Sequence, residues 1–389
     1  MKEYKYGKGL VVLTYLAAPV VIALFAGALV MILRQDHSKA QNLIFFGPLS
    51  LFMAAFMIYS IMDVTKRRLL IGEGKVTSIG PRGKVELPFE EIKGFRLDRK
   101  FIWVIPATSG SKRMKISRNL KDSSEILAWF SAHYPDLDVQ SAEEDRQAIL
   151  NSEEYGFNEE DREARLKRAA AIARVLNIAG VGAGLWTFFW PQPYEYLLMA
   201  CAGIAFLALL AIRFSNGLIH AAEQKGSAHP SVMLALLLAG GAFFLRVLID
   251  FDIFDRHNAW IPTAGLSLLL MAFVLIGNRE VRGGSKQNRG AAVFIIIFLL
   301  AYSYSLVIAL NCLGDRTEPF VYETRVLNKH ISSGKHRSYY LKLAPWGPQQ
   351  EEDEVEVDRE LYNRMELGSQ AYVYFRNGSL NIPWFVVTD

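Results

Sequence analysis

The segment Asp250-Phe-Asp252-Ile-Phe-Asp255-Arg-His257 places three carboxylates and an imidazole within eight residues. Such donors are of the kind that hold a divalent cation. The spacing alone does not close a site. Carboxylates two residues apart diverge on an extended chain and stand about 200° apart on a helix, so a loop would have to fold them together. The competing reading is an acidic loop between two apolar stretches. Arg246 lies four residues before Asp250, inside an otherwise uncharged run. An ionisable residue there is a functional hypothesis by default, yet an i,i+4 partner near the end of the run also lets the charge pair off or snorkel. No P-loop, H-E-x-x-H or G-x-S-x-G pattern occurs, and Gly180-Val-Gly-Ala-Gly184 sits within an apolar run rather than after a strand. Cys201 and Cys312 are expected as two free buried thiols. The seven histidines are scattered. No metal or other cofactor is expected, and no nucleophile–base pair points to an enzyme.

The elements that carry these residues follow from composition. Hydrophobic residues make up 51% of the 389 and charged residues 21%, with a mean hydropathy of +0.17. That balance excludes a disordered chain and a nucleic-acid-coating protein and predicts a polytopic α-helical membrane protein. A bilayer core about 30 Å thick takes roughly 20 apolar helical residues. Seven runs qualify: Leu10–Leu33, Leu43–Met62, Val175–Tyr194, Tyr196–Ile212, Ser231–Ile249, Ala259–Asn278 and Gly290–Gly314. The first is read as a retained helix, because it is longer than a signal-peptide core and lacks a small-residue cleavage site. Lys2, Lys5 and Lys8, then Lys66-Arg67-Arg68, then Arg162 to Arg174, Arg213 with Lys225, and Arg279 to Arg289 fall in alternate loops. By the positive-inside rule these loops are cytoplasmic. The N-terminus is then inside, and seven crossings leave the C-terminus outside a cell membrane, expected to be a bacterial inner membrane. Gly180, Gly182 and Gly184 invite close approach of another helix.

Two water-soluble parts interrupt the runs, so that 1–62 carries two spans, 63–140 a cytoplasmic module, 141–174 a charged helical connector, 175–314 five spans and 315–389 a small extracytoplasmic domain. In the module, Val85 and Leu87 alternate with Lys84 and Glu86, and Met114 and Ile116 with Lys115 and Ser117, as strands require. Asp122-Ser-Ser-Glu125 reads as a capping box ahead of a helix carrying Ile126, Leu127 and Phe130. On Leu87-Pro-Phe-Glu-Glu-Ile-Lys-Gly94, Met114-Lys-Ile-Ser117 and that capped helix, residues 69–134 resemble the bacterial PH-like domains of membrane proteins. The resemblance implies binding or oligomerisation rather than catalysis.

Charge in this region is split: 64–121 carry 15 Lys/Arg against 5 Asp/Glu, and 122–161 carry 12 acidic residues against Arg146. A basic residue beside an anionic leaflet gains about 1 kcal/mol. Lys66, Arg67 and Arg68, with Lys112, Arg113 and Lys115, are the candidate contacts to lipid head groups or to a protein partner, which includes a second copy of the chain. The first cluster also reads as a topology signal, the second as a solvated strand face, and the acidic stretch as an internal counter-charge. At the C-terminus, Tyr322–His330, Ser338–Leu343, Asp353–Asp358, Ala371–Phe375 and Ile382–Val387 read as strands of a small all-β barrel or sandwich, with turns at Ser332-Ser-Gly-Lys335 and Asn377-Gly378. A non-catalytic scaffolding, assembly or sensing role follows. The alternative is a small-solute or lipid transporter with a polar site at Arg246 and Asp250.

Overall fold

The computed structural model describes residues 1–34, 39–108, 110–276, 286–332 and 337–389. Arg279, Arg282 and the turn residues 333–336 lie outside the described residues. The chain divides into two compact units: Met1–Gln147 with Lys225–Ala228, and Ala148–Gln224 with His229–Asp389.

The first unit begins with a short strand, β1 (Lys2–Lys5), ahead of two long apolar helices, α1 (Lys8–Arg34) and α2 (Lys39–Lys66). Leu13, Leu16, Val20 and Leu24 of α1 and Leu51, Phe52 and Ile58 of α2 are exposed, an apolar surface that water would not tolerate at this extent. Strand β2 (Arg68–Gly72) follows α2 directly and pairs antiparallel with β1, Lys5 opposite Arg68 and Lys2 opposite Ile71. The lysine-bearing tail is therefore also structural. It joins the sheet that the chain builds after α2, and both helix ends are tied to one edge.

Strands β3 (Lys75–Gly80) and β4 (Gly83–Pro88) complete an antiparallel four-stranded sheet in the order β1-β2-β3-β4. Strands β5 (Ile92–Leu97), β6 (Phe101–Pro106) and β7 (Met114–Ser117) form a separate antiparallel three-stranded sheet. Alternate residues point inward, so Leu69, Val76, Phe95, Ile102, Val104, Met114 and Ile116 share one core. Helix α3 (Ser123–His133) closes it with Ile126 and Phe130. The expected capping box does not form. Asp122 adopts a left-handed conformation (φ 59°) with no side-chain cap, and the Glu125 carboxylate pairs with Lys2 instead. A cross-sheet cation on β1 takes the group that the local rule would have turned back onto the backbone. Helix α4 (Leu137–Asn151) follows, and Ser227 and Ala228 hydrogen-bond to its Asp145 at 2.8 and 2.9 Å.

In the second unit, α5 (Glu159–Phe189) begins on an Asn158 cap, whose side chain accepts from the Asp161 N–H at 2.7 Å. It merges the second part of the charged connector and the third apolar run in one helix of 31 residues, after a break between Asn151 and Glu159. Helix α6 (Tyr194–Phe214) follows across Trp190–Pro193. The fifth run is helical over 233–250 but not uniform: Ala235–Gly240 is π-helical and continues into α7 (Gly241–Asp250). Strand β8 (Asp252–Ile253), α8 (Trp260–Leu275) and α9 (Lys286–Leu313) come next. Among the described residues, six helices, α1, α2, α5, α6, α8 (with the turn before it) and α9, are long and apolar enough to cross a membrane.

The C-terminal region comprises β9 (Phe320–Ile331), β10 (Tyr339–Leu343), β11 (Asp353–Val357), a short α10 (Arg359–Arg364), β12 (Gln370–Arg376) and β13 (Trp384–Thr388). All pairings are antiparallel, in the order β11-β10-β9-β12-β13-β8. The five expected strands are joined by a sixth, β8, which comes from the loop after α7. Long β9 pairs with β12 through its first half and with β10 through its second, around a core that includes Val326, Leu341, Trp346, Val373 and Phe385.

Candidate functional site: a basic module and a polar pair on α7

Strand register decides which basic residues of the module stand near the helices. The Arg68 end of β2 faces Ile79 of β3, and the β3–β4 turn that follows carries Arg82, whose guanidinium lies 5.4 Å from the Tyr59 ring of α2. Tyr6 bridges to Leu120, and the Lys121 N–H donates to the Lys5 carbonyl at 2.8 Å. Asn119 shares a cavity with Leu10, Thr14, Ser60 and Asp63. Arg82, Arg118 and Lys121, all exposed, therefore belong to the helix-proximal end of the module. None was singled out by clustering in the sequence, because two connections remote in the chain bring them together.

The six singled-out residues divide. Lys66 is exposed at the end of α2. Arg67 is committed: its Nε donates to Asp63 at 2.9 and 3.1 Å, the Tyr6 hydroxyl donates to the same carboxylate at 3.0 Å, and its side chain is only 16% exposed. Arg68 faces Glu3 at 3.5 Å across β1–β2. Lys112 and Arg113 are exposed at the tip of the β6–β7 connection, at the end of β7 away from Leu120, about 13 Å along the strand. Lys115 lies 3.6 Å from the Phe101 ring centroid and 5.2 Å from that of Trp103. The outward face of β6–β7 is thus a cation held on two half-buried aromatic rings, a stabilising arrangement of about 0.5–1 kcal/mol. Its signal in the sequence was the alternation Phe101-Ile-Trp103-Val.

In the second unit, Arg246 and Asp250 are brought together at 3.6 Å, one turn apart on α7. Arg246 does more than pair. Its Nε donates to the Thr187 carbonyl at 3.0 Å and a terminal nitrogen to the Phe188 carbonyl at 2.9 Å. A helix leaves its last carbonyls without partners, and in hydrocarbon that is costly. Arg246 supplies the missing donors at the end of α5. At the other end of the same packing, Asn177 of α5 donates to the Ser231 carbonyl at 2.8 Å and accepts from the Ala235 N–H at 3.0 Å. These two backbone groups would bond each other in an α-helix. The Asn177 amide stands between them and satisfies both where the π-helical turn begins.

No protein family, curated protein or solved structure matches this chain. Function has to be argued from the geometry.

The acidic segment after α7 is dispersed rather than gathered. Asp250 pairs with Arg246, Asp255 accepts from the His257 N–H at 2.8 Å, and Asp252 sits in β8. Among the described residues, no three His, Cys, Asp or Glu side chains are placed to hold a metal ion. Burial, reinforced by the negative charges of Glu356 and Asp353, pushes the Asp252 carboxyl up from 3.8 to about 6. The sign follows: a pKa raised on folding means the folded protein binds the proton more tightly, so stability grows as pH falls from above 6 towards 4. Pairing of β8 with β13 should be firmer at pH 5 than at pH 7.5, by up to about 1.4 kcal/mol. Hydrogen exchange at residues 252–254 checks this, and Asp252→Asn should remove the pH difference. Equal protection at both pH values in the unsubstituted protein would refute it.

Proposed function

We propose that the chain is a seven-span integral membrane protein whose N-terminal PH-like module is cytoplasmic and whose C-terminal β domain lies outside. In this reading it acts without catalysis, as a scaffold or sensor, and the module meets anionic lipid head groups. The seven-span count is supported by residues 233–250, which run beside α5 from Asn177 to Phe188 and so accompany it across the apolar length. The PH-like reading is supported by a four-stranded and a three-stranded sheet closed by α3.

One observation carries the head-group contact. Pairing of β1 with β2 ties both helix ends to the module, so Arg82, Arg118 and Lys121 stand where α1 and α2 emerge. Lys112 and Arg113 at the opposite end suit a protein partner better. Transport has less support, since Arg246 already uses its donors on α5 carbonyls.

The test is hydrogen exchange on the full-length protein in nanodiscs of neutral lipid, with and without phosphatidylglycerol. Residues 79–84 and 117–121 should exchange at least fivefold more slowly in anionic discs, given about 1 kcal/mol per basic residue at the surface. The triple variant Arg82→Glu/Arg118→Glu/Lys121→Glu should abolish the difference, while Lys112→Glu/Arg113→Glu should not. Identical exchange in both discs would remove the head-group reading.

A further inference from the structure

A cavity of about 230 Å³ opens between the first turns of α5 and the end of α6. Its wall on α5 is formed by Arg165, Arg168 and Ile172, spaced to share one face. Its wall on α6 is formed by Ala211 and Phe214, with Ser215 and Asn216 just beyond. The lining changes character along the axis. Arg165 and Ile172 are seven residues apart, about 10 Å on a helix, so the charged rim gives way within one head-group length to an apolar floor. The floor is uncovered: Phe214 is 70% exposed and Ile172 49%. Arg165 is held at 3.2 Å by Asp161, one turn back. Arg168 makes no hydrogen bond or ion pair among the described residues, although Glu154 at the rim and Asp161, whose carboxyl the Arg168 charge helps to hold down, bring contrary charge.

A guanidinium with no carboxylate at ion-pair distance, set above exposed apolar side chains where two membrane helices end, matches an amphiphile with an anionic head. Basic pockets between such helices on the cytoplasmic side are suited to phosphate head groups, and a planar guanidinium binds phosphate oxygens in pairs. We propose that this cavity binds the phosphate of an anionic phospholipid, with Arg168 as its main partner, Arg165 as the second, and Ile172 and Phe214 against the glycerol and upper acyl chains. The site requires that α5 and α6 cross the bilayer. It does not require the module of the first unit to bind lipid.

The experiment is native mass spectrometry of the delipidated full-length protein, titrated separately with phosphatidylglycerol, phosphatidylcholine and inorganic phosphate. Phosphatidylglycerol should bind more tightly than phosphatidylcholine, by about fivefold for each arginine engaged. Arg168→Ala should lower that preference about fivefold, and Arg168→Lys should keep most of it. Phe214→Ala should weaken both lipids and leave inorganic phosphate unaffected. The variant Arg82→Glu/Arg118→Glu/Lys121→Glu should leave the preference in place, which separates failure of this site from failure of the module. Equal binding of the two lipids, or a preference unchanged in Arg165→Ala/Arg168→Ala, overturns the proposal. Inorganic phosphate binding as tightly as phosphatidylglycerol overturns the lipid assignment in favour of a free anion.

Discussion

Gly184→Leu is expected to disrupt the packing of α5 on the fifth helical segment, while Gly182→Ala, two residues away, is expected to be harmless or slightly stabilising. A Cβ at position 184 would stand 2.5 Å from the Leu238 carbonyl oxygen and 2.6 Å from its carbon, and one at 180 would stand 2.5 Å from the Ala235 Cα. These are backbone atoms and cannot rotate away. Relief would need the helices to part, which also withdraws Asn177 from Ser231 and Ala235 and Arg246 from Thr187 and Phe188. Overpacking alone costs about 1–3 kcal/mol, and each buried polar group left unpaired adds about 1–3 more. In lipid there is no hydrophobic drive between helices, so close small-residue contact is much of what holds such a pair. A Cβ at 182 would meet nothing within 4 Å, and alanine is the better helix former by about 1 kcal/mol. Thermal unfolding in detergent should therefore lower the midpoint for Gly180→Leu and Gly184→Leu and keep or raise it for Gly182→Ala. Equal loss in all three would mean that close contact with the helix over 233–250 is not what sets Gly180 and Gly184 apart from Gly182.

That contrast marks how far the sequence could be read. The apolar runs were legible because hydrocarbon admits helices and excludes charge, a constraint strong enough to survive without any partner in view. Strands of the module and of the C-terminal domain were legible from alternation, as in Val85–Leu87 and Met114–Ile116. Features that depend on a second segment were not. Gly180, Gly182 and Gly184 look alike in the chain, and only the helix over 233–250 distinguishes them. The π-helical turn needs the Asn177 amide from 58 residues away. Strand β1 is four residues of a lysine-bearing tail whose pairing partner lies beyond two helices, and β8 is a two-residue strand that reads as an acidic loop. Glu125 has two acceptable partners, its own helix terminus and Lys2, and nothing local says that Lys2 wins. Among the candidate residues, Arg246 and Asp250 were legible as a pair from i,i+4 spacing. That Arg246 also closes the end of α5 was not.

Asn311→Leu should loosen the C-terminal β domain from the helix that carries it. Asn311 lies on the last turn of α9 and is fully buried. Its Nδ2 donates to the Ile382 carbonyl at 2.8 Å, and its Oδ1 accepts from the Leu380 N–H at 2.9 Å and the Ile382 N–H at 3.4 Å. Just beyond the helix, Asp315 accepts from the Gly378 N–H at 3.1 Å and the Trp384 indole N–H at 3.0 Å. The turn at 378–382 is thus held by two side chains on one helix end, and β13 follows it directly. Leucine keeps the volume of the Asn311 side chain roughly but leaves three backbone groups of that turn without partners, a cost on the order of 3–5 kcal/mol. Gly378 offers an independent approach to the same contact: it has φ +75°, and a Cβ there would lie 2.3 Å from the Asn311 amide. Gly378→Ala should reproduce the effect with Asn311 intact. Limited proteolysis of the detergent-solubilised protein should cut within 315–389 sooner in both variants, with the helical remainder unchanged. If both variants resisted as well as the unsubstituted protein, the domain would be held by β8 pairing instead. In a protein that relays state between its soluble parts, the rigidity of this joint decides whether a movement of α9 reaches β13 or is lost in a hinge.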